Sequence, residues 1–506
     1  MSGETERVAT CLGPLPSGWA LATVSDIVGW DGIFVDGDWV ESKDQDAKGD
    51  ARLVQLADIG DGVYRNKSNR FLTLRKATEL KCTFLEAGDL LVARMPDPLG
   101  RASIFPGDPK PSVTAVDVCI IRTGENGANT KWLMYLLNSP QFRTAIMSLQ
   151  SGTTRKRIAR SNLAKLEFPL PPLPEQHRIV AKIEELFTRL DAGVEALKKV
   201  RAQLKAYRQA VLRDAFNGRL TAEWREAHGG ELEPASVLLE QIKAERGKTF
   251  GRGTGPRAPT IMETTDLPQL PEGWVWTRVG EVAQVIMGQS PPGDSYNQRG
   301  IGVPLVKGPV EFGPNPFSRT IKSKFTTVPK KMCRENDLVL CVRGSTTGRM
   351  NVAGFDACIG RGVAAIRAFA CQPYLNFFVH SVQRRIYELG TGSTFPNVTV
   401  DMVQSFDIPL PPLPEQHKIV EEIERRFSVA EEIENTVGQS LKQAERLRQS
   451  ILKRAFGGKL VPQDPSDEPA ERLMGRIKTE KAARELETKP ARKVRRETTA
   501  TQKSLI

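Results

Sequence analysis

The chain has 506 residues and is poor in the side chains that build metal and disulfide sites: seven cysteines, at 11, 82, 119, 333, 341, 358 and 371, and four histidines. No two cysteines form a Cys-x-x-Cys pair, which argues against a zinc finger or a disulfide framework. A reducing cytoplasm is the natural compartment. There is no run of 18 or more apolar residues, so no membrane span is expected. The opening Met1-Ser2-Gly3-Glu4 is polar and acidic, unlike a secretory signal. Catalytic signatures are missing too. No Gly-x-x-x-x-Gly-Lys-Ser/Thr loop for ATP occurs, and no Pro-Asp…Glu-x-Lys nuclease cluster. Asn315-Pro316-Phe317 lacks the second proline of an amino-methyltransferase motif. The chain is therefore expected to be no enzyme and to bind no metal and no cofactor itself.

What is present fits a soluble globular protein: 40% hydrophobic and 26% charged residues exclude a wholly disordered chain. At roughly 100–200 residues per domain the length suggests about three domains. Lys and Arg outnumber Asp and Glu by 72 to 60, a net charge of +12. That balance points to a polyanionic partner, most often nucleic acid.

An internal repeat organises the chain. Leu15-Pro16-Ser17-Gly18-Trp19 returns as Leu270-Pro271-Glu272-Gly273-Trp274, a shift of 255. Pro169-Leu170-Pro171-Pro172-Leu173-Pro174-Glu175-Gln176-His177 returns unchanged at Pro409–His417, a shift of 240. Leu212–Gly218 is echoed by Leu452–Gly458, and Glu233-Pro234-Ala235 by Glu468-Pro469-Ala470, shifted by 235. Each copy is thus a front module of variable length followed by a length-constrained module. Between the copies, Gly251-Arg252-Gly253-Thr254-Gly255-Pro256 reads as linker, since no strand precedes it and no Lys-Ser/Thr follows it.

The constrained modules read as long helices. Pro169–Pro174 is held extended by its prolines, Pro174 suits the first helical turn with Glu175 favoured by the dipole, and Asn217-Gly218 and Gly457-Gly458 are stop signals. The span between is about 63 Å at about 1.5 Å per residue. A heptad stripe runs Ile179, Ile183, Leu186, Leu190, Gly193, Leu197, Val200, Leu204, Tyr207, Val211. A patchier one runs Ile419, Ile423, Arg426, Ala430, Ile433, Val437, Ser440, Ala444, Leu447, Ile451. Each seam wants a partner helix, and the expectation is an antiparallel coiled coil between the copies. The front modules, with runs such as Asp89–Arg94, Val118–Ile121, Asp337–Arg343 and Val363–Ile366 beside helical stretches at Trp132–Leu149 and Tyr374–Leu389, read as mixed α/β.

These residues resemble the specificity subunit of Type I restriction-modification systems. The doubled Pro-Leu-Pro-Pro-Leu-Pro-Glu-Gln-His motif leading into a long helix is highly specific. Leu-Pro-x-Gly-Trp, Met287–Gly293, the runs at 88–94 and 336–343, each followed by Gly-Arg (Gly100-Arg101, Gly348-Arg349), and Gly152-Thr153-Thr154 with Gly392-Ser393-Thr394 resemble further family elements. The likeness covers about residues 15 to 480. It implies an α/β (α+β) fold: two mixed α/β target recognition domains separated by two long helices forming an antiparallel coiled coil, with internal pseudo-twofold repeat. The expected boundaries are a first recognition domain at 1–172, a first conserved helical region at 173–248, a linker at 249–268, a second recognition domain at 269–412, a second helical region at 413–480 and a disordered basic tail at 481–506. The resemblance further implies a non-catalytic reader of double-stranded DNA, one domain per half of a split asymmetric site. It would dock two methyltransferase subunits and, through them, motor-nuclease subunits. S-adenosylmethionine, ATP and Mg would belong to those partners, and Pro172, Pro174, Glu175, Gln176, Pro412, Pro414, Glu415 and Gln416 are the docking candidates.

For DNA contact the sharpest cluster is Arg155, Lys156, Arg157 and Arg160 after a Gly-Thr-Thr turn, where cations could neutralise phosphates or read guanine. The aligned Phe395-Pro396-Asn397-Val398 is not basic, so the second module needs other residues. Arg94, Arg101, Arg343 and Arg349 follow strands into loops, Lys307 lies in a Gly/Pro-flanked loop, and Asn297, Gln298 and Arg299 form a polar loop suited to base edges. Trp19 and Trp274 are expected at cores or junctions, and His177 and His417 on helix surfaces or interfaces. Two rivals stand beside this reading: a coiled-coil scaffold binding proteins, which a gel shift with DNA discriminates, and a nuclease in its own right, which metal-dependent cleavage would reveal.

Overall fold

The structure, a computed structural model, describes residues 15–96, 98–152, 156–250, 267–390 and 397–501. It falls into two units that do not follow sequence order. The first takes Met1–Leu197 with Gln439–Ile506, and the second takes Lys198–Gly438.

In the first unit the apolar runs form a four-stranded antiparallel sheet in the order Ile33–Asp36, Val118–Arg122, Leu90–Ala93, Ala102–Ile104. Leu90, Leu91, Val92 and Ala93 are all fully buried, which explains a continuous rather than alternating apolar run. Leu90 and Val92 pack among Trp132, Leu133, Leu136 and Phe142. Leu91 and Ala93 face the other way, onto Val54, Ile59 and Phe105. A smaller sheet of Phe71–Leu72, Ala51–Val54 and Ser112–Thr114 completes the module, its last two strands parallel. The helical stretch expected at Trp132–Leu149 is two helices, Thr130–Leu137 and Pro140–Ser148, because Ser139 caps a new start with proline at its first turn.

The second unit repeats this plan. Its four-stranded sheet runs Ala283–Met287, Val363–Ala368, Leu338–Cys341, Met350–Val352. Its smaller sheet has five strands, with Val303–Val306 and Ala357–Ile359 the parallel pair. The same ion pair locks both modules: Asp89 takes two bonds from Arg122 (2.7 and 2.8 Å), and Asp337 takes two from Arg367 (2.8 and 2.6 Å).

The long helices are α1 (Leu173–Phe216) and α3 (Leu413–Ala455), followed by α2 (Ala235–Phe250) and α4 (Ala470–Thr501). The division between units falls inside α1 and α3, so each unit holds the beginning of one and the end of the other. In the first unit Asp191 pairs with Arg448 and Arg178 with Asp467, and in the second Arg208 pairs with Glu434 and Arg225 with Glu415. In the first unit Ile179 and Ile183 of α1 pack with Ile451 and Leu452 of α3, and in the second Val211 and Leu212 pack with Ile419 and Ile423, start against end, so the helices run antiparallel. The stripe is buried at Ile179, Ile183, Ile419, Ile423 and Ala430, but Tyr207, Ile433 and Leu447 face solvent at 41%, 40% and 49% exposure. Helix α4 extends past residue 480, where an unstructured tail was expected, and residues 251–266 of the expected linker lie outside the described ones.

All four repeated motifs meet in one joint per unit. Ser17-Gly18 and Glu272-Gly273 form turns closed by Trp19 N–H to Pro16 O and Trp274 N–H to Pro271 O, both 3.2 Å, with Gly18 and Gly273 at φ +77° and +82°. The left-handed third position of such a turn is why glycine stands there. The tryptophan then leads into a strand paired with the stretch before the proline motif, Ala20–Ala22 with Phe168–Leu170 and Val275–Arg278 with Asp407–Leu410. Its indole N–H donates to the motif's glutamate, Trp19 to Glu175 at 2.9 Å and Trp274 to Glu415 at 2.8 Å. The other two motifs come from the opposite copy. Gly458 abuts Pro16 and Ala470 N–H donates to Gly18 O, while Gly218 abuts Pro271 and Ala235 N–H donates to Gly273 O.

This joint corrects the docking assignment. Glu175, Gln176, Glu415 and Gln416 are at most 1% exposed, and Pro172 and Pro412 are buried; only Pro174 and Pro414 are exposed. Gln176 bonds Pro171 O and the Asn129 N–H, and Gln416 bonds Pro411 O. A polar side chain so completely buried must spend its bonds inside the chain, so these residues hold the chain's own joint.

The two joints differ in one respect. Glu415 also accepts from Thr221 and Arg225, both at 2.7 Å, whereas the second oxygen of Glu175 has no hydrogen-bond partner among the described residues. Burial pushes the Glu175 carboxyl above its ordinary value of 4.5, against the pull of the Trp19 N–H. With a raised value folding takes up a proton, so this group's contribution is complete below the ordinary value and is lost as pH rises through the raised one. Glu175→Gln is therefore expected to keep or raise the unfolding midpoint at neutral pH and to flatten its fall with rising pH. Glu415→Gln strands Arg225 and is expected to cost about 3 kcal/mol. Thermal unfolding of both variants at mildly acid and neutral pH checks the contrast.

Candidate nucleic-acid interface

In the first module several loops converge where the strand Ile33–Asp36 ends. Arg94 is their centre. Its guanidinium donates to Asp36 Oδ1 (2.6 Å), Ile158 O (3.0 Å) and Val116 O (3.2 Å), and the residue is 6% exposed. Arg101 is likewise buried, giving bonds to the carbonyls of Ile59, Leu56, Pro98 and Met95. Both were expected at a DNA surface, and both instead bolt loops together from within. For Arg94 the reason is register. Ile158 N–H bonds Arg94 O as Val398 N–H bonds Val342 O. Arg94 therefore occupies the inward position of Val342, one residue out of step with Arg343.

The outward residues of this cluster are different. Ser151 and Arg157 pair backbone to backbone in an antiparallel bridge, and Lys156 and Arg157 are exposed, neither side chain having a partner among the described residues. Arg155 lies outside the described residues. Arg160 is exposed but tethered, bonding Asp36 Oδ2 and Phe34 O with its guanidinium over the Phe34 ring. Three residues beyond Asp36, Trp39 is 69% exposed, its indole N–H bonding Glu41.

The second module builds the same cluster. Gly288 N–H bonds Val363 O, Gln289 N–H bonds Ile359 O, Val342 N–H bonds Gly362 O, and Arg343 bridges Asn397. Val342 is fully buried, while Gln289, Arg343, Arg349 and Arg361 are exposed. Lys307 adjoins the Gly360–Gly362 turn, its exposed side chain placing Nζ 4.7 Å from the Tyr296 ring. Asn297 is not available to a base edge. Its amide donates to Ile301 O and its carbonyl accepts from the N–H groups of Arg299 and Ile301, closing its own turn. Gln298 and Arg299 are exposed on that turn. Sequence reasoning missed Trp39, Gln289 and Arg361; for Arg361 the available signal was a cation between two glycines joining two apolar runs.

Among the described residues no three His, Cys, Asp or Glu side chains gather as metal ligands, and no helix is long and apolar enough to cross a membrane. His177 is exposed beside Asn129.

Comparison with known proteins bears on what this surface meets. The pattern of the Type I restriction modification DNA specificity domain matches residues 16–205 and 271–443, well over half of the chain. The chain belongs to the type I restriction-modification specificity family. This specificity subunit is 25% identical over 463 residues to the provisionally named type I MjaX specificity subunit of Methanocaldococcus jannaschii, covering 89% of this chain and 96% of that one. It is 26% identical over 399 residues to the EcoBI specificity subunit of Escherichia coli, covering 74% and 76%. A chain solved in work on complex assembly and conformational transition of the type I R-M system is similar at a TM-score of 0.62 and 25% identity, covering 88% of this chain and 99% of that chain.

For a specificity subunit, whose role is DNA sequence recognition, Lys156 and Arg157 are the untethered cations of this loop cluster. Replacing both with alanine is expected to weaken DNA binding and to lower the slope of log affinity against log salt by about 2, near 0.9 per phosphate contact. A salt titration of duplex binding measures it.

Proposed function

We propose that this chain is the non-catalytic reader of a type I complex, recognising a split asymmetric DNA site with one module per half-site. One observation carries this reading: the two modules hold the same four-stranded sheet and loop cluster, yet expose different side chains from it. The first presents Trp39, Lys156 and Arg157; the second presents Gln289, Lys307, Arg343 and Arg361. A common scaffold with two chemistries suits two unlike base sequences, since base edges rather than phosphates carry the sequence information. Arg349, Gln298, Arg299 and the tethered Arg160 lie on the same modules as further candidates for phosphate contact. Arg94, Arg101 and Asn297 do not belong to the set.

Methyltransferase subunits, with motor-nuclease subunits through them, would dock on the long helices rather than on the proline motif. Exposed Tyr207, Val429, Ile433 and Leu447 supply apolar side chains there. S-adenosylmethionine, ATP and Mg would be held by those partners, and the complex would work in the cytoplasm. The test is to map methylated bases genome-wide with the cognate methyltransferase subunit, with and without this chain. Methylation of one bipartite, non-palindromic sequence that depends on the chain is the expected result; chain-independent methylation overturns the proposal.

A further inference from the structure

Several arginines of the second module are spoken for. Arg367 grips Asp337, Arg319 is held by Glu335 and Asn336, Arg384 pairs with Glu388, and Arg385 lies over the Phe406 ring. Arg361, like Arg299, Arg343 and Arg349, is exposed, and its guanidinium has no acceptor among the described residues. Its backbone is nevertheless among the most firmly held in the loop cluster. Arg361 N–H bonds Ser290 Oγ at 3.3 Å, Gly360 N–H bonds Val306 O, Val363 N–H bonds Gly360 O, and Gly362 O accepts from Val342 N–H, each of these last three at 2.9 Å. The residues that flank the turn, Ile359 and Val363, are fully buried. A side chain on Gly360 would come within 3.3 Å of Lys307 Cα, so the turn is pressed against the next strand.

A long flexible cation suffices for a phosphate, whereas two parallel bonds to the N7 and O6 of guanine require a fixed base for the guanidinium fork. On this ground we propose that Arg361 is a specificity-determining residue that reads a guanine in the major groove of the half-site bound by the second module. The inference rests on the DNA-reading function proposed above. The structurally equivalent residue of the first module is Val116, since Arg94 N–H bonds Asp117 O as Val342 N–H bonds Gly362 O. The carbonyl of Val116 is taken by Arg94. The first module thus has no counterpart, and the guanine belongs to one half-site alone.

The experiment maps methylated sites made by the full complex carrying wild-type chain, Arg361→Lys or Arg361→Ala. The expected result is that both variants lose discrimination at one guanine position by about tenfold or more, while the other half-site stays fully specified and serves as the folding control. Lysine keeps the charge but not the fork, so unchanged specificity in Arg361→Lys, with Arg361→Ala merely binding more weakly and with a shallower salt dependence, would identify a phosphate contact and overturn the inference. A wild-type half-site without guanine also overturns it. Absence of any chain-dependent site in the wild type instead sinks the DNA-reading function itself.

Discussion

A hydrogen bond from an indole to a buried glutamate decides how the rest of the chain is arranged. A carboxylate out of water is costly unless its oxygens are satisfied. The donor to one of those oxygens, Trp19 or Trp274, lies well over a hundred residues away. The bond therefore draws the first strand of a module against the proline segment that ends it, and fixes where the long helix starts. The turn before each tryptophan then offers its carbonyl to the first N–H of a helix from the other half of the chain. Four motifs that recur in the sequence are four parts of one device, used twice.

Much of this was legible in the sequence, and what was not has identifiable causes. Continuous apolar runs gave the central strands because both faces are covered, and heptad stripes with proline and glycine stops gave α1 and α3. The recurrence of the motifs was plain, but recurrence does not say which copies touch. The exchange of the helix ends and the Glu-Pro-Ala segments between halves has no local signature. The glutamate and glutamine of the proline motif look like surface residues to any rule based on polarity. Only their burial shows them to be internal.

The interface was legible as a neighbourhood but less so residue by residue. Lys156 and Arg157 were found because the cations there cluster. Arg94 misled because sequence pairing set it against Arg343, and a one-residue offset at the end of a strand turns a side chain from solvent to interior. Asn297 misled because a short amide that looks fit for a base can close its own loop. Arg361 escaped notice because its one signal, a single cation between two glycines, is slight beside a cluster of cations, and its distinction is the rigidity of the backbone beneath it.

The exchange between halves also sets an order of completion during synthesis. The second unit is an unbroken stretch, so every part of it exists once Gly438 has left the ribosome. The first module is made earlier but lacks its partners. Ile451, Leu452, Ala455 and Phe456, which cover its core, and Ala470, which bonds its first turn, are made only after that point. Domains tend to fold as they emerge, yet here the half translated first is finished last. Until then its apolar surface around Trp19 and Ile179 stays open, which makes the first half of the chain the one that depends on shelter while translation continues.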